Sequence, residues 1–245
     1  MGARQSIFDV RGRQKRIEMK TGLLIIATGE KYHPFIRPLL VSAHTYFVPH
    51  TPILFSDVDT IGCIPFMKIP HEPWPGPTLH RYGTFLRAWK FLHAFDHLFY
   101  IDVDMLFVAP VGKEIFSDGI TATLHPGYVG TSGTPERRFI SQAYIPPNAD
   151  NKYFCGGFNG GTMEAFLEMT DYLDASITRD EKFGVMATWH DESHLNHYLY
   201  NNPPAKILDP SYCYPENAGP HYTDKWKLHG YFGLQPKILA LEKQK

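Results

Sequence analysis

Short apolar runs alternate along this chain with longer stretches whose apolar residues recur at helical spacing, and that alternation restricts its fold more than any other feature. Leu23-Leu24-Ile25-Ile26-Ala27, ended by Thr28-Gly29, has the length and apolarity of a parallel strand buried on both faces. Pro34 suits a first helical turn, and Phe35, Ile36, Leu39, Leu40, Ala43 and Phe47 follow at helical spacing. Ile53-Leu54-Phe55 reads as a second strand that ends at Ser56-Asp57, and residues 62–78, rich in Pro and Gly, read as loop. Over residues 79–95, Tyr82, Phe85, Leu86, Trp89 and Leu92 form one helical stripe. Another strand runs into Asp102, residues 120–124 make one more, and helices are predicted over 163–173 and 191–200. The pattern predicts an α/β sandwich with a mostly parallel sheet. Ligands gather at the carboxyl ends of strands in such sheets, where Thr28, Asp57, Asp102 and His125 fall.

Composition narrows the function classes. The 245 residues fit one domain or two intimate lobes, without internal repeat or linker. Lys+Arg and Asp+Glu nearly balance, at 24 and 25, so no bulk charge argues for a nucleic-acid partner. The 14% aromatic content suits stacking surfaces such as a sugar site, or simply a core. Cys63, Cys155 and Cys213 have no C-x-x-C spacing and read as reduced thiols in a cytoplasmic protein. No apolar run reaches the length of a membrane span. Residues 1–20, which carry Arg4, Arg11, Arg13, Lys15, Arg16 and Lys20 and no apolar core, read as a mobile basic leader.

The chemistry concentrates in three places. Asp102-Val103-Asp104 sets two carboxylates at a strand end between apolar runs, an expensive arrangement unless they hold something positive. A hard divalent cation carrying a diphosphate is one solution. Asp57-Val58-Asp59 has the same spacing, but ordinary turn chemistry accounts for it. Trp189-His190-Asp191-Glu192-Ser193-His194 opens a helix with acids, bases and metal ligands together. Zinc is the weaker reading there, because the order is not H-E-x-x-H; acids favoured by a helix N-terminus are the plain one. Gly156-Gly157-Phe158-Asn159-Gly160-Gly161 allows close approach to a ligand or a sharp bend, and is no phosphate-binding P-loop.

Taken in order, His125-Pro126-Gly127-Tyr128, Glu136-Arg137-Arg138, Ser141-Gln142-Ala143-Tyr144-Ile145-Pro146, Gly156-Gly157-Phe158, Gly160-Gly161 and Trp189-His190-Asp191-Glu192-Ser193-His194-Leu195-Asn196 resemble glycosyltransferase family 6. The resemblance is strong from about residue 78 to 212, and Asp102-Val103-Asp104-Met105 also matches the mammalian members. It implies a GT-A fold over residues 21–245. The donor part would span about 21–110, the acceptor and catalytic part about 111–235, and a mobile tail about 236–245.

It also implies transfer of galactose or N-acetylgalactosamine from a UDP-sugar to a galactoside-type acceptor. Configuration would be retained, and the new linkage would be α1,3. By resemblance, Asp102 and Asp104 would hold Mn2+, or Mg2+, against the diphosphate, with Val103 beside the donor. Ala27, Thr28 and Tyr32 would cradle uridine and Arg81 would contact the donor. Asp191 would bind the donor sugar. His125, Thr134, Trp189, His190 and Glu192 would shape the acceptor side, Trp189 and His190 would also shape the donor-sugar pocket, and Glu192 would face the anomeric carbon. Cys155-Gly156-Gly157 would set the donor, Gly157 leaving room for the acetamido group of UDP-GalNAc; UDP-Gal is the alternative. Lys237 and Lys243 would close the tail over the diphosphate. A sugar- or UDP-sugar-binding protein without turnover is the reading from another class. The chain departs from the family pattern at Pro135, where a Tyr is common, and at Pro215-Glu216, where an acidic residue is expected one position earlier.

Overall fold

The computed structural model describes residues 19–58, 64–149, 151–217 and 234–242. Asp59, Cys63, Lys243 and the basic residues between Arg4 and Arg16 lie outside them. A seven-stranded sheet runs in the order β3-β2-β1-β4-β7-β6-β8. These strands are Phe66–Lys68 (β3), Thr51–Ser56 (β2), Thr21–Ala27 (β1), His97–Asp102 (β4), Phe154–Thr162 (β7), Ile120–Leu124 (β6) and Lys206–Leu208 (β8). All neighbours are parallel except those of β7, which runs antiparallel to both β4 and β6. The mostly parallel sheet predicted from the apolar runs is present, and β1 is buried along its whole length.

Each face of the sheet has its own core. Helix α1 (His33–Tyr46) covers one, placing Ile36, Leu39 and Ala43 against Leu23, Ile25, Phe99 and Phe158. The other is covered by α3 (Arg81–Arg87), α5 (Met163–Lys182) and α6 (His190–Asn201), through Tyr82, Phe85, Phe166, Met169 and Leu195 against Leu24, Phe55 and Tyr100. The stripe over residues 79–95 is broken into α2 (Gly76–Leu79), α3 and α4 (Trp89–Leu92). The backbone leaves helical geometry at His80 (φ −94°, ψ 10°) and Ala88 (φ −95°, ψ 2°). Tyr82, Phe85 and Leu92 stay buried, but the second break turns Trp89 out to 48% exposure. Helix α5 runs nine residues beyond the predicted 163–173, to Lys182.

The glycine run is a strand, not a bend. Four glycines weaken a strand in isolation, so β7 depends on ladders from both neighbours. Gly160 and Gly161 serve packing. A Cβ at Gly160 would collide with the Phe99 ring and the Leu98 carbonyl, and one at Gly161 with the Gly119 carbonyl.

A small second sheet, β5-β10-β9, joins Met105–Phe107 (β5), Ile238–Ala240 (β10) and Tyr214–Pro215 (β9). Part of the segment predicted as a mobile tail is thus a strand, antiparallel to β5 and parallel to β9. Among the described residues no helix is long and apolar enough to cross a membrane.

Candidate active site

The carboxyl ends of β1 and β4, the start of β7 and the start of α6 enclose a cleft of about 780 Å3. Of the residues predicted from the sequence, Thr28, Tyr32, Arg81, Asp102, Val103, Asp104, Gly156, Gly157, Trp189, His190, Asp191 and Glu192 line it. Segments far apart in the chain meet here because the parallel strands all end at one edge.

On one side, β4 ends at Asp102 and a tight turn carries Val103 and Asp104 before β5 begins. Tyr100, two residues earlier and therefore on the same face of the strand, donates its hydroxyl to Asp102 Oδ1 at 2.5 Å. Arg81 Nη1 donates to the same oxygen at 3.3 Å, and its guanidinium lies 4.6 Å from the Tyr100 ring centroid. Oδ2 of Asp102 faces Gly157: a Cβ there would come within 3.2 Å of it and 3.1 Å of Met105 Sδ.

Opposite lies α6. Its N-cap, Trp189, has no side-chain cap, and His190 opens the helix at φ 50°, a conformation L-residues avoid and functional sites concentrate. Asn196 sets the register. Its Oδ1 accepts from Phe154 N at 2.8 Å, and its Nδ2 donates to Phe154 O and Glu192 O, both at 2.9 Å. One turn earlier, Glu192 Oε2 accepts from Gly156 N at 3.0 Å. Asp191 is 3% exposed, and its Oδ2 stands 3.1 Å from Arg81 Nε, an ion pair whose angle falls short of a hydrogen bond.

The electrostatics are unbalanced. Six carboxylates, Glu30, Glu72, Asp102, Asp104, Asp191 and Glu192, line the cleft with two fixed cations, Lys31 and the buried Arg81. Burial pushes Asp191 up to about 6 and Glu192 up to about 7, and Asp102 adds to both shifts. Carboxylates crowded in this way favour a bound cation. Among the described residues no group of three or more His, Cys, Asp or Glu could hold a metal by itself. Two oxygen donors opening on a large cleft instead suit a divalent ion whose remaining ligands are phosphate and water.

Beyond Trp189 lies an aromatic pocket wall. Trp189 Nε1 donates to Thr134 Oγ1 at 2.8 Å, and Thr134 Oγ1 is 3.2 Å from the Tyr128 hydroxyl. His125 packs on Tyr128 and Tyr153 at 4.8 and 5.7 Å between centroids, and burial lowers its pKa to about 4, so it is neutral. Tyr153, 1% exposed, fills the space under Gly133 and influences Glu192 electrostatically.

Other predicted residues fall elsewhere. Ala27 is fully buried with its side chain in the core; Ile26 and Thr28 line the cleft in its place, as strand alternation requires. Cys155 is 3% exposed in the core beneath the cleft floor, in the cluster that includes Cys213. Lys237 is tied to Glu114 at 2.6 Å and the Tyr212 hydroxyl at 3.0 Å, outside the cleft lining. His194 does not join His190: its Nδ1 is 2.7 Å from Ser176 Oγ and its Nε2 3.5 Å from Asp180, in the core. Asp57 holds the first loop, accepting from Gly29 N at 3.1 Å and standing 2.7 Å from His33 Nε2. That loop presents Thr28 and Tyr32 to the cleft. Tyr100, Asn196 and Tyr153 had no assigned role in the sequence; Tyr100 could have been found from its period-two spacing to Asp102.

Comparison with known proteins gives a consistent result. The family model described as Glycosyltransferase family 6 matches residues 78–228. The chain is 32% identical over 226 residues to histo-blood group ABO system transferase 1 of Rattus norvegicus, covering 85% of this chain and 65% of that protein. It is 30% identical over 218 residues to globoside alpha-1,3-N-acetylgalactosaminyltransferase 1 of Homo sapiens, covering 82% and 62%. It is 27% identical over 213 residues to O-antigen biosynthesis glycosyltransferase WbnI of Escherichia coli, covering 82% and 90%. The chain thus spans slightly less than two thirds of the two mammalian relatives and most of the bacterial one.

Proposed function

We propose, since this chain belongs to glycosyltransferase family 6, that it moves N-acetylgalactosamine from UDP-GalNAc to the 3-hydroxyl of a galactoside-type acceptor, with retention and with a divalent cation. One observation carries the reading: Asp102, Asp104, Asp191 and Glu192 line one cleft, where the bare backbone of Gly156-Gly157 meets Asp102 on one side and Glu192 and Asp191 on the other. On this reading Asp102 and Asp104 would stand at the diphosphate, and Asp191 and Glu192 at the sugar, where positive charge would develop.

Asp102 and Asp104 would hold Mn2+ or Mg2+. The cation would stabilise the negative charge that grows on the leaving UDP. Thr28 and Tyr32 line the end assigned to uridine. Asp191, pinned by Arg81, would bind a donor-sugar hydroxyl. Glu192 lies against Gly156 N and would place its carboxylate under the anomeric carbon, to stabilise oxocarbenium-like charge or to attack it. Trp189, His190, Thr134 and His125 would receive the acceptor.

Asp102→Asn keeps shape and removes one charged donor. It is expected to weaken Mn2+ binding, read by calorimetry in the presence of UDP, by on the order of 10-fold or more. Unchanged affinity would remove Asp102 from the metal site.

On the family pattern, a glycine at position 157 would go with the acetamido sugar rather than galactose. Adding a methyl there presses on Met105 Sδ and Asp102 Oδ2. Gly157→Ala is therefore expected to lower the UDP-GalNAc to UDP-Gal ratio of kcat/KM by roughly 10-fold or more. A ratio that stays constant would detach Gly157 from donor choice.

The reading as a whole is tested by UDP release from each donor, with Mn2+ or EDTA, with and without a β-galactoside. Metal-dependent release that rises with acceptor, UDP-GalNAc above UDP-Gal, is the expected result. Binding of UDP-sugar without any release by the folded protein would favour the non-catalytic reading.

A further inference from the structure

The Glu136-Arg137-Arg138 motif takes no part in the cleft, yet Glu136 is one of the most thoroughly bonded carboxylates in the protein. It is 1% exposed and accepts five hydrogen bonds. Arg138 supplies its backbone N at 2.8 Å, Nε at 3.0 Å and Nη2 at 2.6 Å. Thr188 supplies its backbone N at 2.8 Å and Oγ1 at 3.0 Å. The Arg138 bonds, with those from Thr188, bring the carboxyl down to about 2, so it is ionised at any working pH.

The position of the bonds gives them meaning. Thr188 immediately precedes Trp189, and Thr134 lies two residues before Glu136. Trp189 Nε1 in turn donates to Thr134 Oγ1 at 2.8 Å. The two segments are therefore cross-linked twice, by Glu136 on the buried side and by the Trp189–Thr134 bond on the cleft side. Trp189 is 47% exposed, where water competes for its bond. The buried link is the one that resists water.

Two further contacts stiffen the arrangement. Arg138 Nη2 donates to Met186 O at 2.5 Å. Asp180 of α5 accepts from Ser141 Oγ at 2.5 Å and Gln142 N at 2.8 Å, fixing the far end of the same loop. The strained start of α6 at His190 follows directly on this frame.

We propose that Glu136 is a positioning residue for the acceptor: its carboxylate holds the Thr134 loop in register with Trp189, and so sets the geometry of the acceptor side relative to Glu192. The proposal rests on the reading of Thr134 and Trp189 as acceptor-facing. It predicts a specific kinetic split, because the donor side, held by Arg81, Asp102 and Gly156, makes no use of Glu136.

The test is steady-state kinetics of the full chain with UDP-GalNAc and lactose, plus UDP release without acceptor. Loss of one charged acceptor's register is expected to raise the lactose KM of Glu136→Gln on the order of 10-fold. Donor KM and acceptor-free release should stay within roughly twofold of the parent. Thr188→Val, which removes a single hydroxyl and is the milder variant should Glu136→Gln fold poorly, is expected to raise the lactose KM by roughly threefold. Thr188→Ser, which restores the hydroxyl, should return it to the parent value.

Trp189→Ala separates the two layers of the argument. If it raises the lactose KM while Glu136→Gln and Thr188→Val merely lose kcat in proportion to folded protein, the acceptor reading stands and the positioning role is overturned. If Trp189→Ala leaves the lactose KM unchanged, the acceptor side is misplaced and the proposal falls with it.

Discussion

Replacing Glu192 by Gln is expected to lower transfer by on the order of 10³-fold or more, with UDP-sugar binding largely kept and the protein made more stable above pH 7. The loss follows from charge. A neutral amide can still accept from Gly156 N, but it can neither balance an oxocarbenium-like sugar nor attack it. The gain in stability follows from linkage. Burial raises the Glu192 pKa from 4.5 to about 7, so between those values the folded state holds a proton that the unfolded state has lost. Stability therefore declines as pH rises from about 4.5 to about 7, and the full cost of the buried charge is present above that range.

Gln removes that cost, about 1–3 kcal/mol at pH 8. The same shift predicts the acid limb of the reaction. The parent kcat/KM should fall about tenfold per pH unit below about 7, where Glu192 is neutral in the free protein. A Glu192→Gln protein that is inactive but melts lower than the parent at pH 8 would mean that the carboxylate is structural. One that keeps most of its activity would remove Glu192 from the chemistry.

The second large effect is on the fold. Gly161→Ala would drive a methyl into the Gly119 carbonyl, an atom of the neighbouring backbone that no rotamer change can move aside. The strand would have to shift against β6, at a cost of about 3 kcal/mol, the upper end for overpacking. For a chain of this size the melting temperature should drop by roughly 6–12 °C. Gly156→Ala provides the contrast: a Cβ there meets Glu192 Oε2 at 3.8 Å and Asp191 Oδ2 at 3.9 Å, ordinary contacts. Its melting temperature should stay close to the parent's. Equal losses from both substitutions would show that strand weakening, not the collision, dominates.

These two glycines also show where sequence reading stops. The run Gly156 to Gly161 announces close approach, but not of what to what. The neighbours of β7 decide it: Gly156 faces Glu192 and Asp191, Gly157 faces Asp102 and Met105, and Gly160 and Gly161 admit Phe99 and the Gly119 backbone. The strands were legible because four or five apolar residues in a row have few other fates; β1 is buried throughout and β4 over Leu98–Ile101. The break of the 79–95 stripe was not, since it arises from backbone geometry at His80 and Ala88 that leaves the hydrophobic period almost intact.

Within the site, local spacing carried Asp102 and Asp104 and the Trp189–Glu192 cluster into one cleft. It could not pair Arg81 with Asp191, or Asn196 with Phe154, because those partners meet only after the sheet is assembled. Nor could spacing alone separate Asp57 from Asp102. Asp57 spends its oxygens on Gly29 N and His33, while Asp102 Oδ2 looks into the cleft. Cys155 packs in the core with Cys213, a placement that the three-residue run Cys155-Gly156-Gly157 gives no sign of.

The most direct test of the central claim is the structure of the product. UDP-GalNAc, Mn2+ and a β-galactoside would be incubated with the protein, and the new disaccharide linkage read by proton NMR. The account predicts an added N-acetylgalactosamine at O3 of the galactose, with the small anomeric coupling of an α linkage. A β-linked product, free N-acetylgalactosamine alone, or no reaction from a folded and donor-bound protein would contradict it.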